Sequence, residues 1–334
     1  MKSLPSICAA ALGALLLAAS AAGAVAPASA LTPPVVSRVQ GTDRYDQAVQ
    51  VSKEAFTTAN TVYLASGEKF SDALSAGSVA GLHNAPLLLT PAAVLTAGTL
   101  AELQRLNPDH IVIVGGANSV NESVADKLVE KIPDAAVTRI GGADRFEVSR
   151  ALVTNPDFGV PSSPWVYLAS GSNFPDALAA SPAAVTVNGP VVLVNGAETA
   201  LTTAEAQLFD DLAVKNVRIA GGPASVSAAL QASLTEHYTV TRASGADRFE
   251  AAAAINKEAF TASTTVYLAS GLVFPDALSA APVAGRDGNP IYLVQKDCVP
   301  APVLAELQRL TPAKVVILGG TNTISKAVES LTSC

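Results

Sequence analysis

Val62-Tyr63-Leu64-Ala65-Ser66-Gly67-Glu68-Lys69-Phe70-Ser71-Asp72-Ala73-Leu74 sets the architecture of this chain. An apolar run meets a Ser-Gly turn and continues into small residues, the pattern of a buried strand passing into a helix. The pattern returns from Val166 through Gly171, Phe174 and Asp176 to Leu178, and again from Val266 through Gly271, Phe274 and Asp276 to Leu278. A second signature lies upstream of each copy: Arg38-x-x-Gly41-x-Asp43-Arg44, Arg139-x-x-Gly142-x-Asp144-Arg145 and Arg242-x-x-Gly245-x-Asp247-Arg248. A third lies downstream, an apolar strand ending in Gly115-Gly116, Gly221-Gly222 or Gly319-Gly320. The aspartate of the second signature recurs after 101 and then 103 residues. A fixed period of that size makes the repeat the unit of the fold.

Within the first copy the pattern predicts strands at Val36–Val39, Thr61–Ala65, Pro86–Leu89 and Ile111–Val114. It predicts helices at Arg44–Phe56, Ser71–Leu82, Thr99–Leu106 and Asn121–Ile132. Short continuous apolar runs such as Pro86-Leu87-Leu88-Leu89 suit strands covered on both faces. Strict alternation of strand and helix implies right-handed crossovers and a parallel sheet. The expected fold is α/β, with three tandem Rossmann-like three-layer repeats at 31–136, 137–239 and 240–334. Linkers of a few residues favour close packing of the copies.

Residues 1–30 read as a secretory signal peptide. One charge (Lys2), an apolar run from Ile7 to Ala19 and Ala28-Ser29-Ala30 place the cut before Leu31. Three copies fill the chain after that point, so no fourth segment is expected. With 49% hydrophobic and 15% charged residues, the 334-residue chain is not a disordered acidic tail. No segment after the signal resembles a membrane span. A formal net charge of −7 with few basic clusters is wrong for nucleic acid. After the signal only Cys298 and Cys334 remain, and an exported pair is expected to form one disulfide. It would close a loop of 36 residues, contributing roughly 3–4 kcal/mol at best in the chain-entropy picture.

The combination of R-x-x-G-x-D-R, S-G-x-x-F-x-D-A-L and the Gly-Gly strand end resembles the cell wall-binding repeat type 2, in three copies over essentially the whole chain after residue 30. The resemblance implies three repeats in a pseudo-threefold ring. It implies non-covalent attachment to an anionic cell-wall polysaccharide or teichoic-type polymer of a Gram-positive envelope, outside the cell.

The recurring residues supply the candidate polymer site: Arg38, Asp43, Arg44, Asp72, Gly115 and Gly116 in the first copy; Arg139, Asp144, Arg145, Asp176, Gly221 and Gly222 in the second; Arg242, Asp247, Arg248, Asp276, Gly319 and Gly320 in the third. Two readings of each stay open. Arg44, Arg145 and Arg248 are either guanidinium groups held by the preceding aspartate and presented to a polymer, or parts of Arg–Asp bridges pinning strand to helix. Asp72, Asp176 and Asp276 fall in a helix's first turn, where a carboxylate is favoured by the dipole alone. The Gly-Gly pairs either bring backbone amides to an anion or serve the turn. Phe70, Phe174 and Phe274 read as buried plugs.

No catalytic constellation is legible. His83, His110 and His237 occupy unrelated positions without metal-ligand spacing, and the chain has no H-E-x-x-H, G-x-S-x-G, Walker A or G-x-G-x-x-G motif. Asp43 and Asp72 are potential neighbours, but arginines close by would hold both ionised, wrong for a general acid. A secreted, non-catalytic wall-binding protein without metal or cofactor is therefore expected. The alternatives are an amidase-like peptidoglycan hydrolase and a surface-lattice or protein-docking module.

Overall fold

The computed structural model describes residues 33–334. The expected signal peptide, 1–30, lies outside them. The first copy contains β1 (Val35–Val39), α1 (Arg44–Ala55), β2 (Thr61–Ser66), α2 (Phe70–Leu82), β3 (Leu87–Thr90), α3 (Ala97–Leu106), β4 (His110–Val114) and α4 (Glu122–Lys131). The second contains β5 (Ala136–Ile140), α5 (Arg145–Val153), β6 (Trp165–Ser170), α6 (Pro175–Val185), β7 (Val191–Val194), α7 (Thr203–Asp211), β8 (Asn216–Ala220) and α8 (Ala228–Thr235). The third contains β9 (Thr239–Ala243), α9 (Arg248–Ala259), β10 (Thr265–Ser270), α10 (Pro275–Leu278), α11 (Ala280–Arg286), β11 (Ile291–Val294), α12 (Ala301–Leu310) and β12 (Lys314–Leu318), then a 3-10 turn at Lys326–Ser330. Among the described residues no helix is long and apolar enough to cross a membrane.

Three four-stranded sheets result, ordered β3-β2-β4-β5, β7-β6-β8-β9 and β11-β10-β12-β1, and every pairing is parallel. The sequence period and the sheet in space are offset by one strand. Each sheet takes its edge strand from the copy that follows, so the repeat boundaries at 136/137 and 239/240 fall inside β5 and β9. The third sheet has no following copy and takes β1 from the first, pairing Val35–Val39 with Lys314–Leu318. The chain is thereby closed into a ring.

The physical reason for the offset is the strand-opening arginine. Arg139 on β5 donates from Nη1 to Gly115 O of the preceding copy at 3.1 Å, and Arg242 on β9 donates to Gly221 O at 2.8 Å. Arg38 on β1 donates from Nη1 to both Gly319 O (2.8 Å) and Ile324 O (2.9 Å), and forms an ion pair with Glu329 at 2.9 Å. Each guanidinium satisfies partly buried carbonyls at or just beyond the end of the neighbouring strand.

The centre of the ring is helical. α2, α6 and α11 pack against one another, and small residues let them approach. Gly77, Ser181 and Ala281 meet in one layer, and Gly81, Val185 and Gly285 in another. Phe174 and Phe274 converge nearby, their ring centroids 5.9 Å apart. Cys298 and Cys334 are bonded, with Cα atoms 5.0 Å apart. The disulfide joins the loop after β11 to the chain end, where Val299 N and Cys334 N also bond across to Thr332 O and Val299 O.

Candidate functional site

The recurring polar residues gather into three equivalent clefts at the C-terminal edges of the sheets, where ligands bind in open α/β folds. Each cleft lies between two copies. One is lined by Asp72, Gly116 and Ser119 of the first copy and Asp144 and Arg145 of the second. The next is lined by Asp176, Gly222 and Ser225 of the second and Asp247 and Arg248 of the third. The last pairs Asp276, Gly320 and Thr323 of the third with Asp43 and Arg44 of the first. Their cavity volumes are about 480, 240 and 270 Å³ respectively. Asp43 therefore faces Asp276, not Asp72, because the ring brings together the end of one copy and the start of the next.

Asp43, Asp144 and Asp247 are helix N-caps. Each Oδ1 accepts the amides two and three residues on, at 2.8–2.9 Å, the geometry that quenches orphan donors of a first turn. They do not hold the arginines that follow them. Arg44, Arg145 and Arg248 instead donate from Nη1 to Gly67 O, Gly171 O and Gly271 O, at 2.6, 2.6 and 2.5 Å. Arg44 also lies over the Phe274 ring at 5.9 Å, and Arg248 over Phe174 at 5.8 Å. Each of these rings belongs to the preceding copy, so the cation–π contact spans the junction. Both the aspartate-held guanidinium and the Arg–Asp bridge expected from sequence give way to this arrangement.

Asp72 and Asp176 are buried, and Asp276 lies equivalently. Each carboxylate presses on the first glycine of the Gly-Gly pair. A Cβ at Gly115, Gly221 or Gly319 would overlap Oδ2 of Asp72, Asp176 or Asp276, and these glycines have φ of +117°, +101° and +105°. Only glycine fits both conditions. Their amides are already used within the sheets, donating to Ile140 O, Ala243 O and Val39 O. The pair thus serves the turn and seats the chain's own carboxylate, so the first amide of each pair is not presented to an external anion.

Ser225 Oγ donates to Asp176 Oδ2 at 2.7 Å. Burial pushes the carboxyls of Asp176 and Asp276 above the usual value of 3.8, opposed by hydrogen bonds from Ser225 and Thr323 and by the charges of Arg248 and Arg44. For these two carboxyls desolvation outweighs the arginines. Sequence reading missed the hydroxyls at 119, 225 and 323. Their signal was a Ser or Thr four residues after the first glycine of each pair.

A stability consequence follows, with a definite sign. Because the folded pKa is raised, the unfolded carboxyl ionises first as pH rises above 3.8. Stability therefore falls as the pH climbs through the folded value and stays lower beyond it. Asp176→Asn and Asp276→Asn are expected to stabilise the protein at pH 7, and this advantage should shrink at pH 4. Urea unfolding of parent and variants at both values checks it; an advantage equal at the two pH values would refute it.

The chain matches the family model described as cell wall binding domain 2 (CWB2) over residues 38–125, 139–231 and 242–329. It is 28% identical over 302 residues to N-acetylmuramoyl-L-alanine amidase LytC of Bacillus subtilis (strain 168), covering 90% of this chain and 59% of that protein. To the amidase enhancer of the same organism it is 31% identical over 296 residues, covering 89% and 40%. Among solved structures, Cwp6 from Clostridium difficile superposes with a TM-score of 0.82 at 26% identity, over 94% of this chain and 50% of that one. Cwp8 from the same organism gives 0.79 at 26% identity, over 89% and 51%. The chain spans about half the length of these relatives.

Proposed function

Because this chain belongs to the cell wall binding domain 2 family, we propose that it is a secreted, non-catalytic protein that attaches non-covalently to an anionic polysaccharide or teichoic-type polymer of the cell wall. The observation that carries the reading is the recurrence of one composite cleft at all three junctions. Each combines an arginine, a helix N-terminus and a hydroxyl around a buried or half-buried carboxylate. Three like sites on a rigid ring suit a repeating polymer, since weak contacts gain by avidity when one ligand reaches several of them. The formal net charge of −7 opposes an anionic polymer at long range. Screening over about 8–10 Å lets local donors prevail.

The test is sedimentation of the protein with purified walls, before and after removal of the non-peptidoglycan polymers. Pelleting should disappear with those polymers. Arg248→Ala should weaken it about threefold, and joint replacement of Arg44, Arg145 and Arg248 by lysine should weaken it at least tenfold. Lysine keeps the charge but loses the planar fork, and circular dichroism establishes that the variant is folded. Unchanged pelleting of a folded triple variant places the polymer elsewhere, and pelleting that survives stripping removes the anionic polymer from the reading.

A further inference from the structure

The far side of each junction, away from the polymer clefts, carries a tyrosine on the middle strand of a sheet, facing the first helix of the next copy. These are Tyr63 on β2, Tyr167 on β6 and Tyr267 on β10. The two internal junctions fill the space around the hydroxyl with protein. At the first, Tyr63 Oη donates to Phe158 O at 2.7 Å, and the loop carrying Phe158 also packs on His110 (5.3 Å between ring centroids). At the second, the guanidinium of Arg218 on β8 takes the place. Its Nη1 donates to Tyr167 Oη at 2.9 Å, its Nε lies 3.3 Å from Glu258 on α9, and it covers the Trp165 and Tyr167 rings at 5.2 and 5.6 Å.

The closing junction keeps the carboxylate and the tyrosine of this frame, with Thr265 in place of Trp165 and no arginine on β12 in place of Arg218. Glu54 on α1 stands where Glu258 stands on α9, ten residues after the opening arginine of its helix, and Tyr267 stands where Tyr167 stands. Tyr167 pairs in register with Arg218, whereas Tyr267 pairs with Val316. A cavity of about 210 Å³ results, lined by Glu54, Tyr267, Arg286, Asp287 and Lys314 among others. Arg286 is committed elsewhere, to Asp287 at 2.6 and 2.9 Å and over the Phe56 ring at 4.7 Å. Lys314 is exposed at the mouth. Among the described residues, Glu54 has no ion pair and the Tyr267 hydroxyl no hydrogen bond. Burial and the charges of Asp287 and Glu54 push that hydroxyl up to about 12, with Arg286 opposing, so it stays protonated and able to bond.

We propose that this cavity is a binding site for a guanidinium-bearing small molecule, with Glu54 as counter-ion and the Tyr267 ring and hydroxyl as its other contacts. The ligand group would stand where Arg218 stands in the neighbouring junction. A planar cation is the chemistry both settings share: a carboxylate at the rim, a hydroxyl within and an aromatic face beside it. The site is separate from the polymer clefts and independent of what they bind.

Agmatine is the probe, titrated into the full chain at constant ionic strength and followed by protein-observed NMR, with n-butylammonium as the comparator. Saturable binding at one site is expected, at least tenfold tighter for agmatine than for n-butylammonium and at least tenfold weaker in Glu54→Gln. Val316→Arg should supply the guanidinium from the chain itself, abolishing agmatine binding. Arg218→Val should open the equivalent space in the second junction and raise the stoichiometry from one to two. Absence of saturable binding, or binding unchanged in both Glu54→Gln and Val316→Arg, overturns the proposal. Binding seen only after Lys314→Met would mean that the lysine occupies the site in cis, which overturns it equally.

Discussion

Arg38→Ala is expected to cost about 3–4 kcal/mol, the upper part of the range for removing a partly buried charged donor and stranding its acceptors. The expected order of cost is Arg38 first, Arg242 second and Arg139 last, although all three hold the same sequence position. Arg38 donates to Gly319 O, Ile324 O and Ser325 O, and twice to Glu329. Arg242 bonds Gly221 O, Gln231 and Ser227 O. Arg139 has Gly115 O and a 3.3 Å approach to Glu122 that lacks hydrogen-bond alignment. The difference follows connectivity. β5 and β9 follow their partner strands after a single helical crossover, whereas β1 reaches β12 across nearly the whole chain. Its pairing pays the largest loop-closure entropy, and the arginine fastens the ring at that point. Since so non-local a contact should form late, Arg38→Ala should act mainly by speeding unfolding. Urea chevrons for the three alanine variants test both claims. Equal costs would mean that the closing strand needs no special fastening.

The elements of each copy were legible because their apolar periods are clean. The strand predicted at Val36–Val39 is β1, one residue longer at its start, and the helix predicted at Arg44–Phe56 ends one residue earlier. The sheet that the opening strand joins was not legible. β5 lies between two helices, and a right-handed crossover is possible through either, so its hydrophobic pattern fits both neighbours equally. The deciding contact, Arg139 to Gly115 O, links residues of adjacent copies and leaves no local pattern. For the same reason the sequence offered Asp43 and Asp72 as potential neighbours, whereas the ring sets Asp43 opposite Asp276. Recurrence also could not separate the roles of the two aspartates in each copy. The structure separates them: Asp43 faces backbone amides of its own helix, whereas Asp276 is half-buried against Gly319 beneath the arginine of another copy. The second of these places a desolvated carboxyl where stability alone does not favour one.

Where the central helices meet, Gly285→Val is expected to cost about 2 kcal/mol, within the range for overpacking, and Val185→Gly in the same chain should return more than half of that. The layer has two glycines and one valine where threefold symmetry would place three like residues. A Cβ on Gly285 would lie 2.8 Å from Val185 Cγ2 and 2.9 Å from Val185 Cβ, and one on Gly81 would lie 2.9 Å from the same Cγ2. Val185 thus fills the space that both glycines leave, and a β-branched side chain on a helix has little rotamer freedom with which to withdraw. Val185→Gly alone should destabilise as well, since it removes half-buried methyls from between three packed helices. The two single changes should therefore be strongly non-additive, with a coupling of 1 kcal/mol or more, about the size expected for residues in direct contact. Thermal or urea unfolding of the four proteins measures it. Additive costs would show that each helix is held by its own sheet, and that the central contact contributes little to keeping the three copies together.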